Sequence, residues 1–306
     1  MSTSIERQAG KALEEYASAA VQGCDRRLAG LINTPKWTDV IKVEAFERPK
    51  TWRLVYNGAD GGKEEMVFAL QGSIVAKNLP PLSEKPRMNA TKYKYLRQSV
   101  TVSGLETPTF AAALASTVEI FGYFDRQFCE GKLQSWSASD DLGDRRDLLE
   151  ASNRYMTPRR DAKDGESIPF GEQVDPKNIL KSMAGDDHVH TEDNEVLYFL
   201  RHTAVDGKIR HEKVGPQSFR VGDLVEIQIS FVVVPLKGEQ YKMMTVLRSI
   251  ALIDGAYQQA KHSAKPAERA PTILKRKVRY DEPAEDDEEE LRRSKKGMEV
   301  DEGSAI

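Results

Sequence analysis

Residues 221–254, VGDLVEIQISFVVVPLKGEQYKMMTVLRSIALID, carry the pattern that decides the fold. Val225, Ile227, Ile229, Phe231 and Val233 recur at every second position, with Glu226, Gln228 and Ser230 between them. A period of two places one set on each face of a β-strand. Leu236-Lys237-Gly238-Glu239-Gln240 then turns the chain, and residues 241–254 return as a second apolar stretch, so the two are expected to pair as antiparallel strands.

Just upstream, residues 195–205 and 208–214 flank Asp206-Gly207, a dipeptide suited to a two-residue hairpin turn. Four consecutive strands therefore predict an antiparallel β sandwich or barrel-like module, occupying residues 175–260. Asp175-Pro176 opens that module with a short helix, which Gly185 ends. In the N-terminal half, Trp52, Leu54 and Tyr56 alternate with polar residues, a turn follows at 57–62, and Met66, Phe68 and Leu70 alternate again, which predicts a hairpin. Residues 93–102 predict a strand and residues 108–128 a helix. Ile5, Ala9, Leu13, Tyr16, Ala20, Cys24 and Leu28 lie at helical spacing, so a helix is expected over 4–31. Residues 132–174 are rich in Ser, Asp, Arg and Gly and read as a linker or long surface insertion. The expected class is α+β: an N-terminal half over 1–131, a β-rich module over 175–260, and a disordered charged tail over 261–306.

Three phrases of the β-rich module, DHVHTEDNEVLYFLR, FRVGDLVEIQISFVVVPLKG and YKMMTVLRSIALIDG, resemble a large group of uncharacterised proteins of mushroom-forming fungi. The resemblance covers about residues 175–256. It implies a fungal source and a shared module, and it brings no established activity.

Charge divides the chain of 306 residues. Its formal net charge is −3, yet residues 281–306 hold eleven acidic and four basic side chains, which leaves residues 1–280 at +4. The acidic region DEPAEDDEEE, 281–290, repels itself and is expected to be disordered. Basic clusters flank it: Lys275, Arg276, Lys277 and Arg279 before, Arg292, Arg293, Lys295 and Lys296 after. In an exposed tail such clusters read as nuclear-import signals, so the expected location is the nucleus, otherwise the cytoplasm, and an import receptor is an expected partner. No apolar run reaches the about 18 residues that cross a bilayer, so no membrane partner is expected. Two cysteines, Cys24 and Cys129, supply neither a disulfide framework nor a four-cysteine zinc site.

Candidate chemistry is sparse. Lys92-Tyr93-Lys94-Tyr95-Leu96-Arg97 interleaves cations with aromatics; on a strand Lys92 and Lys94 would share one face and Tyr93 and Tyr95 the other, as in single-strand nucleic-acid binders. Arg48, Lys50 and Arg53 are further cations that a fold could add to that patch. His188, His190, His202 and His211 fall within 24 residues, and a two-residue turn at 206–207 would set His202 opposite His211, a geometry that could share a metal. His188-Val189-His190 with Tyr257 also resembles the metal and nucleophile motifs of rolling-circle nickases, although Thr191-Glu192-Asp193-Asn194 stands where that family has an apolar strand. A phosphate loop is missing, no serine sits in a nucleophile elbow, and no cofactor is expected. The expected function is a non-enzymatic nuclear protein that binds nucleic acid through its basic body. A protein–protein interaction module is the alternative.

Overall fold

Apolar residues at helical spacing form α1 (Ser4–Ser18), which buries Ala9, Leu13 and Ala17, while Lys11 and Glu15 pair one turn apart on its exposed side. The computed structural model describes residues 4–18, 26–31, 33–58, 61–138, 147–162, 167–203 and 208–255. The helix expected over 4–31 is interrupted. Arg27 forms a bridge with Ala69, and the Arg26 carbonyl accepts the Ala69 N–H at 2.9 Å, so tertiary pairing overrides helical propensity there. Two single turns follow, α2 (Leu28–Leu31) and α3 (Trp37–Val40).

β1 (Lys42–Glu47) and β2 (Lys50–Asn57) make a hairpin that closes at Glu47 opposite Lys50. β3 (Lys63–Glu65) extends β2 on the other side of the expected 57–62 turn. The apolar return leaves that hairpin: β4 (Phe68–Asn78) pairs with other strands, because the backbone of a buried strand needs hydrogen-bond partners on both edges. β5 (Arg97–Ser103) follows, and then α4 (Pro108–Asp125), which turns Phe110, Ala113, Ile120 and Phe124 toward the sheet. Gly104 makes that approach possible, since a Cβ there would lie 2.2 Å from Cγ of Phe110.

The 132–174 span, read as a linker or insertion, contributes β6 (Leu148–Arg154), an interior strand between β5 and a strand from the C-terminal part, and β7 (Thr157–Pro158). α5 (Ile179–Ala184) starts later than the Asp175-Pro176 signal, with Asp175 Oδ2 accepting the Lys181 N–H at 2.9 Å. β8 (His188–Val189) pairs with β7. β9 (Leu197–Thr203), β10 (Ile209–Lys213), β11 (Leu224–Pro235) and β12 (Tyr241–Asp254) complete the chain of strands.

The result is α+β with a large mixed sheet of ten strands, ordered β1-β2-β11-β4-β5-β6-β12-β9-β10, with β3 beside β2. β11 and β12 pair along their length as expected, and both also serve as branch points: β11 meets β4 and β2, and β12 runs parallel to β6 and β9. Pairing therefore closes on itself through β11, β4, β5, β6 and β12. The alternation read from residues 225–233 is observed: Val225, Ile227, Ile229, Phe231 and Val233 are all buried. A second, smaller cluster of Tyr93, Tyr155, Met156, Leu180 and Met183 lies beyond the end of β6. The described residues all fall within one compact unit. The tail expected over 261–306 lies outside the described residues. Among the described residues no helix is long and apolar enough to cross a membrane.

Candidate anion-binding site

Branching of the sheet gathers cations from strands far apart in sequence. β2 supplies Lys50 and Arg53, β5 supplies Arg97, β6 supplies Arg154 and β12 supplies Arg248, all lining one cavity of about 340 Å³. The register explains the meeting: Arg53 lies opposite Val232, Ser152 opposite Val246, and Arg97 opposite Arg154. Val232, Val234, Met244 and Val246 form an apolar wall. Five cations line the cavity against two carboxylates, Asp161 and Asp193.

Two of the arginines are neutralised within the fold. Arg53 holds Asp193 bidentately, donating from Nη1 at 2.8 Å and Nη2 at 2.5 Å, and reaches Glu65 at 3.3 Å. Arg248 donates to Glu65 at 2.8 Å, to the Asp193 carbonyl at 2.8 Å and to Ser230 Oγ at 2.9 Å. The four side chains form a ring of alternating charge. These arginines hold the Asp193 carboxyl at about 2, below its ordinary 3.8, although burial alone would raise it. Asn153 Nδ2 also donates to the Asp193 carbonyl at 2.8 Å, so the Glu192–Asn194 turn is pinned from three strands.

Arg97 and Arg154 differ. They are directly opposed on neighbouring antiparallel strands, so their side chains share a face. Both are half-buried, and among the described residues neither forms an ion pair; Arg97 donates only to Ser152 Oγ, at 3.5 Å. Burial pushes both guanidiniums below their ordinary value; for Arg154 the nearby Asp193 offsets this and Arg97 adds repulsion, while Glu150 offsets it for Arg97. Asp161, the second lining carboxylate, sits 3.6 Å from Arg160 and also offsets the shift of Arg154 through space. Two like charges facing each other with little compensation are unfavourable unless an anion completes them.

An orphaned donor lies at the same place. Asn194 is fully buried and lines the cavity. Its Oδ1 accepts from Thr157 Oγ1 at 3.0 Å, Thr191 Oγ1 at 3.1 Å and the Thr191 N–H at 3.2 Å, which fixes the amide's orientation. Its Nδ2 has no partner among the described residues. A buried N–H donor without an acceptor costs about 1–3 kcal/mol.

The residues singled out from sequence are distributed as follows. Lys92, Tyr93, Lys94 and Tyr95 lie in a 3₁₀ turn (Ala90–Tyr95), where the expected strand would have alternated them. Tyr93 is buried, Tyr95 is exposed, and Lys94 stands 4.9 Å over the Tyr95 ring. Only Arg97 of that group reaches the cavity, where it meets Lys50 and Arg53. His202 is opposite Arg210 and His211 opposite Arg201, one residue away from the expected register, so the two histidines point to opposite faces. His188 and His190 are buried; His190 Nδ1 hydrogen-bonds the Tyr155 carbonyl at 2.8 Å and its ring stacks on Phe170. Among the described residues no group of three or more His, Cys, Asp or Glu side chains is placed to hold a metal ion. Tyr257, Lys275, Arg276, Lys277, Arg279, Arg292, Arg293, Lys295 and Lys296 lie outside the described residues. Sequence reading missed Arg154, Arg248 and Asn194. The available signal was an arginine inside an otherwise apolar strand, Leu247-Arg248-Ser249.

No protein-family model matches the chain, and no curated protein matches it either.

Proposed function

We propose that this is a non-enzymatic binding protein for a phosphate-bearing ligand, with nucleic acid as the ligand class and the nucleus as the place of action. The observation that carries it is the cross-strand pair Arg97 and Arg154, half-buried in a cavity and, among the described residues, without an ion-pair partner. Arginine forks match phosphate oxygens bidentately and stay charged at every physiological pH. The cationic excess of residues 1–280 would add long-range attraction, and the basic clusters at 275–279 and 292–296 fit import. In this reading the closed run of pairings through β11, β4, β5, β6 and β12 makes the body barrel-like, with the site at the rim where β2 joins.

The test is binding of single-stranded and double-stranded oligonucleotides by the full chain at two salt concentrations. Affinity should fall steeply with salt, and Arg154→Met should weaken binding and flatten the slope by about one phosphate contact. Binding that is unchanged in Arg154→Met would sink the reading. A second observation favours a protein partner: a groove of about 720 Å³ beside α2 and α3, lined by Trp37 and Met66, leaves Val40 68% exposed. Absence of any oligonucleotide binding would put that reading first.

A further inference from the structure

We infer that the cavity takes a terminal phosphate, a monoester dianion at the end of a nucleotide unit, in preference to the bridging diester of a nucleic-acid backbone. This rests on the phosphate-binding reading above and goes beyond it by naming which phosphate.

Charge is the first ground. Arg97 and Arg154 are two guanidiniums on one face without an ion pair among the described residues, offset only through space by Glu150, Asp193 and Asp161, while Arg53 and Arg248 are already matched by Glu65 and Asp193. A bridging phosphodiester carries one negative charge and would leave one half-buried guanidinium unmatched. A monoester carries about −1.5 to −2 at pH 7 and can match both. Acceptor count is the second ground. A terminal phosphate presents three free oxygens to the two guanidinium forks, whereas a diester presents two. Size and lining are the third. About 340 Å³ lies near the lower end of small-molecule sites, and the wall of Val232, Val234, Met244 and Val246 offers an apolar surface for the sugar and base of one unit.

The groups facing the seat are Lys50, Arg53, Arg248, Asp161 and Asp193, with Glu65 behind the two paired arginines; among the described residues no histidine lines it. Between pH 5 and 8 the changing charge is therefore the ligand's, whose second ionisation lies at about 6.

The experiment measures binding of a short single-stranded oligodeoxynucleotide with a 5′-phosphate, the same strand with a 5′-hydroxyl, and a nucleoside 5′-monophosphate as competitor, at one salt concentration. The expected result is a preference of about tenfold or more for the phosphorylated strand at pH 7.5. It should shrink at pH 5.5 and vanish in Arg97→Met and in Arg154→Met, with thermal unfolding confirming that both variants fold. Competition by the monophosphate alone at similar affinity would identify a free nucleotide as the source of the same chemistry; failure to compete would identify the strand end. Equal affinity for both strands, weakened equally by Arg154→Met, would overturn the terminal-phosphate inference and leave the nucleic-acid reading standing. No binding of any probe would remove both.

Discussion

Arg154 shows how one side chain can be kept against its own stability. It faces Arg97 across a strand pair, and neither has an ion-pair partner among the described residues. Replacing it by methionine keeps most of the volume and removes the repulsion, so Arg154→Met should stabilise the fold by about 0.5–1 kcal/mol while weakening ligand binding. For a unit of this size that is a rise of about 2–4 °C per kcal/mol in melting temperature. A fall in melting temperature would mean that Arg154 is structural. Asp193 should behave in the opposite way, because it compensates Arg53 and Arg248. With its side chain 36% exposed, Asp193→Asn should cost about 2 kcal/mol, less than breaking a fully buried pair, as urea unfolding would measure. Its pH effect has a definite sign. The folded carboxyl titrates at about 2 against an ordinary 3.8, so as pH falls the unfolded chain takes up the proton first. The stabilisation is present above about pH 4 and is lost on the way down to about pH 2, and in Asp193→Asn that part of the acid dependence should disappear.

At the scale of elements, what was legible depended on whether one strand could be read without its neighbours. Residues 225–233 alternate strictly, and the structure buries that set, so β11 was plain from text. β6 carries the same alternation, with Leu149, Ala151 and Asn153 inward, but a small and a polar residue on the inner face and a polar sequence around it disguised a central strand as linker. The β9–β10 pair was recognisable, while its register was not: a shift of one residue exchanges the faces and separates His202 from His211. The candidate site was legible only in pieces. Arg97, Lys50 and Arg53 stood out as cations, yet only the β5–β6 register brings Arg154 to Arg97, and one chain's sequence contains no such distances. A further prediction belongs here. The chain between β5 and α4 needs Gly104 because of Phe110, so Gly104→Ala should destabilise by about 1–3 kcal/mol, as expected of overpacking. Phe110→Leu should relieve part of that cost. A double-mutant cycle by urea unfolding checks it, and a coupling energy near zero would show that the strain is taken up elsewhere.

For the whole molecule, the division expected between residues 1–131 and 175–260 meets a sheet that runs through both. β4 pairs with β11 over six residues, Phe68–Ser73 with Leu224–Ile229, and β2 meets β11 farther along. Leu70, Ile74, Val225 and Ile227 belong to one core cluster, and the described residues fall within one compact unit. A fragment ending at residue 131 would therefore expose the β4 edge that β11 covers and the apolar side chains that pack with it. Exposed strand edges and unburied apolar faces favour aggregation over folding. The 1–131 fragment made alone should give no cooperative unfolding transition and poorly dispersed amide resonances, whereas the full chain should show a single transition for its described body. Co-expression of 1–131 with the remainder as a separate chain should restore the transition, because the missing partner for β4 is then supplied by β11. A well-dispersed spectrum from the isolated fragment would mean that β4 and its neighbours close a core of their own, and that the cavity holding Arg53, Arg97 and Arg154 is assembled by docking of two finished halves.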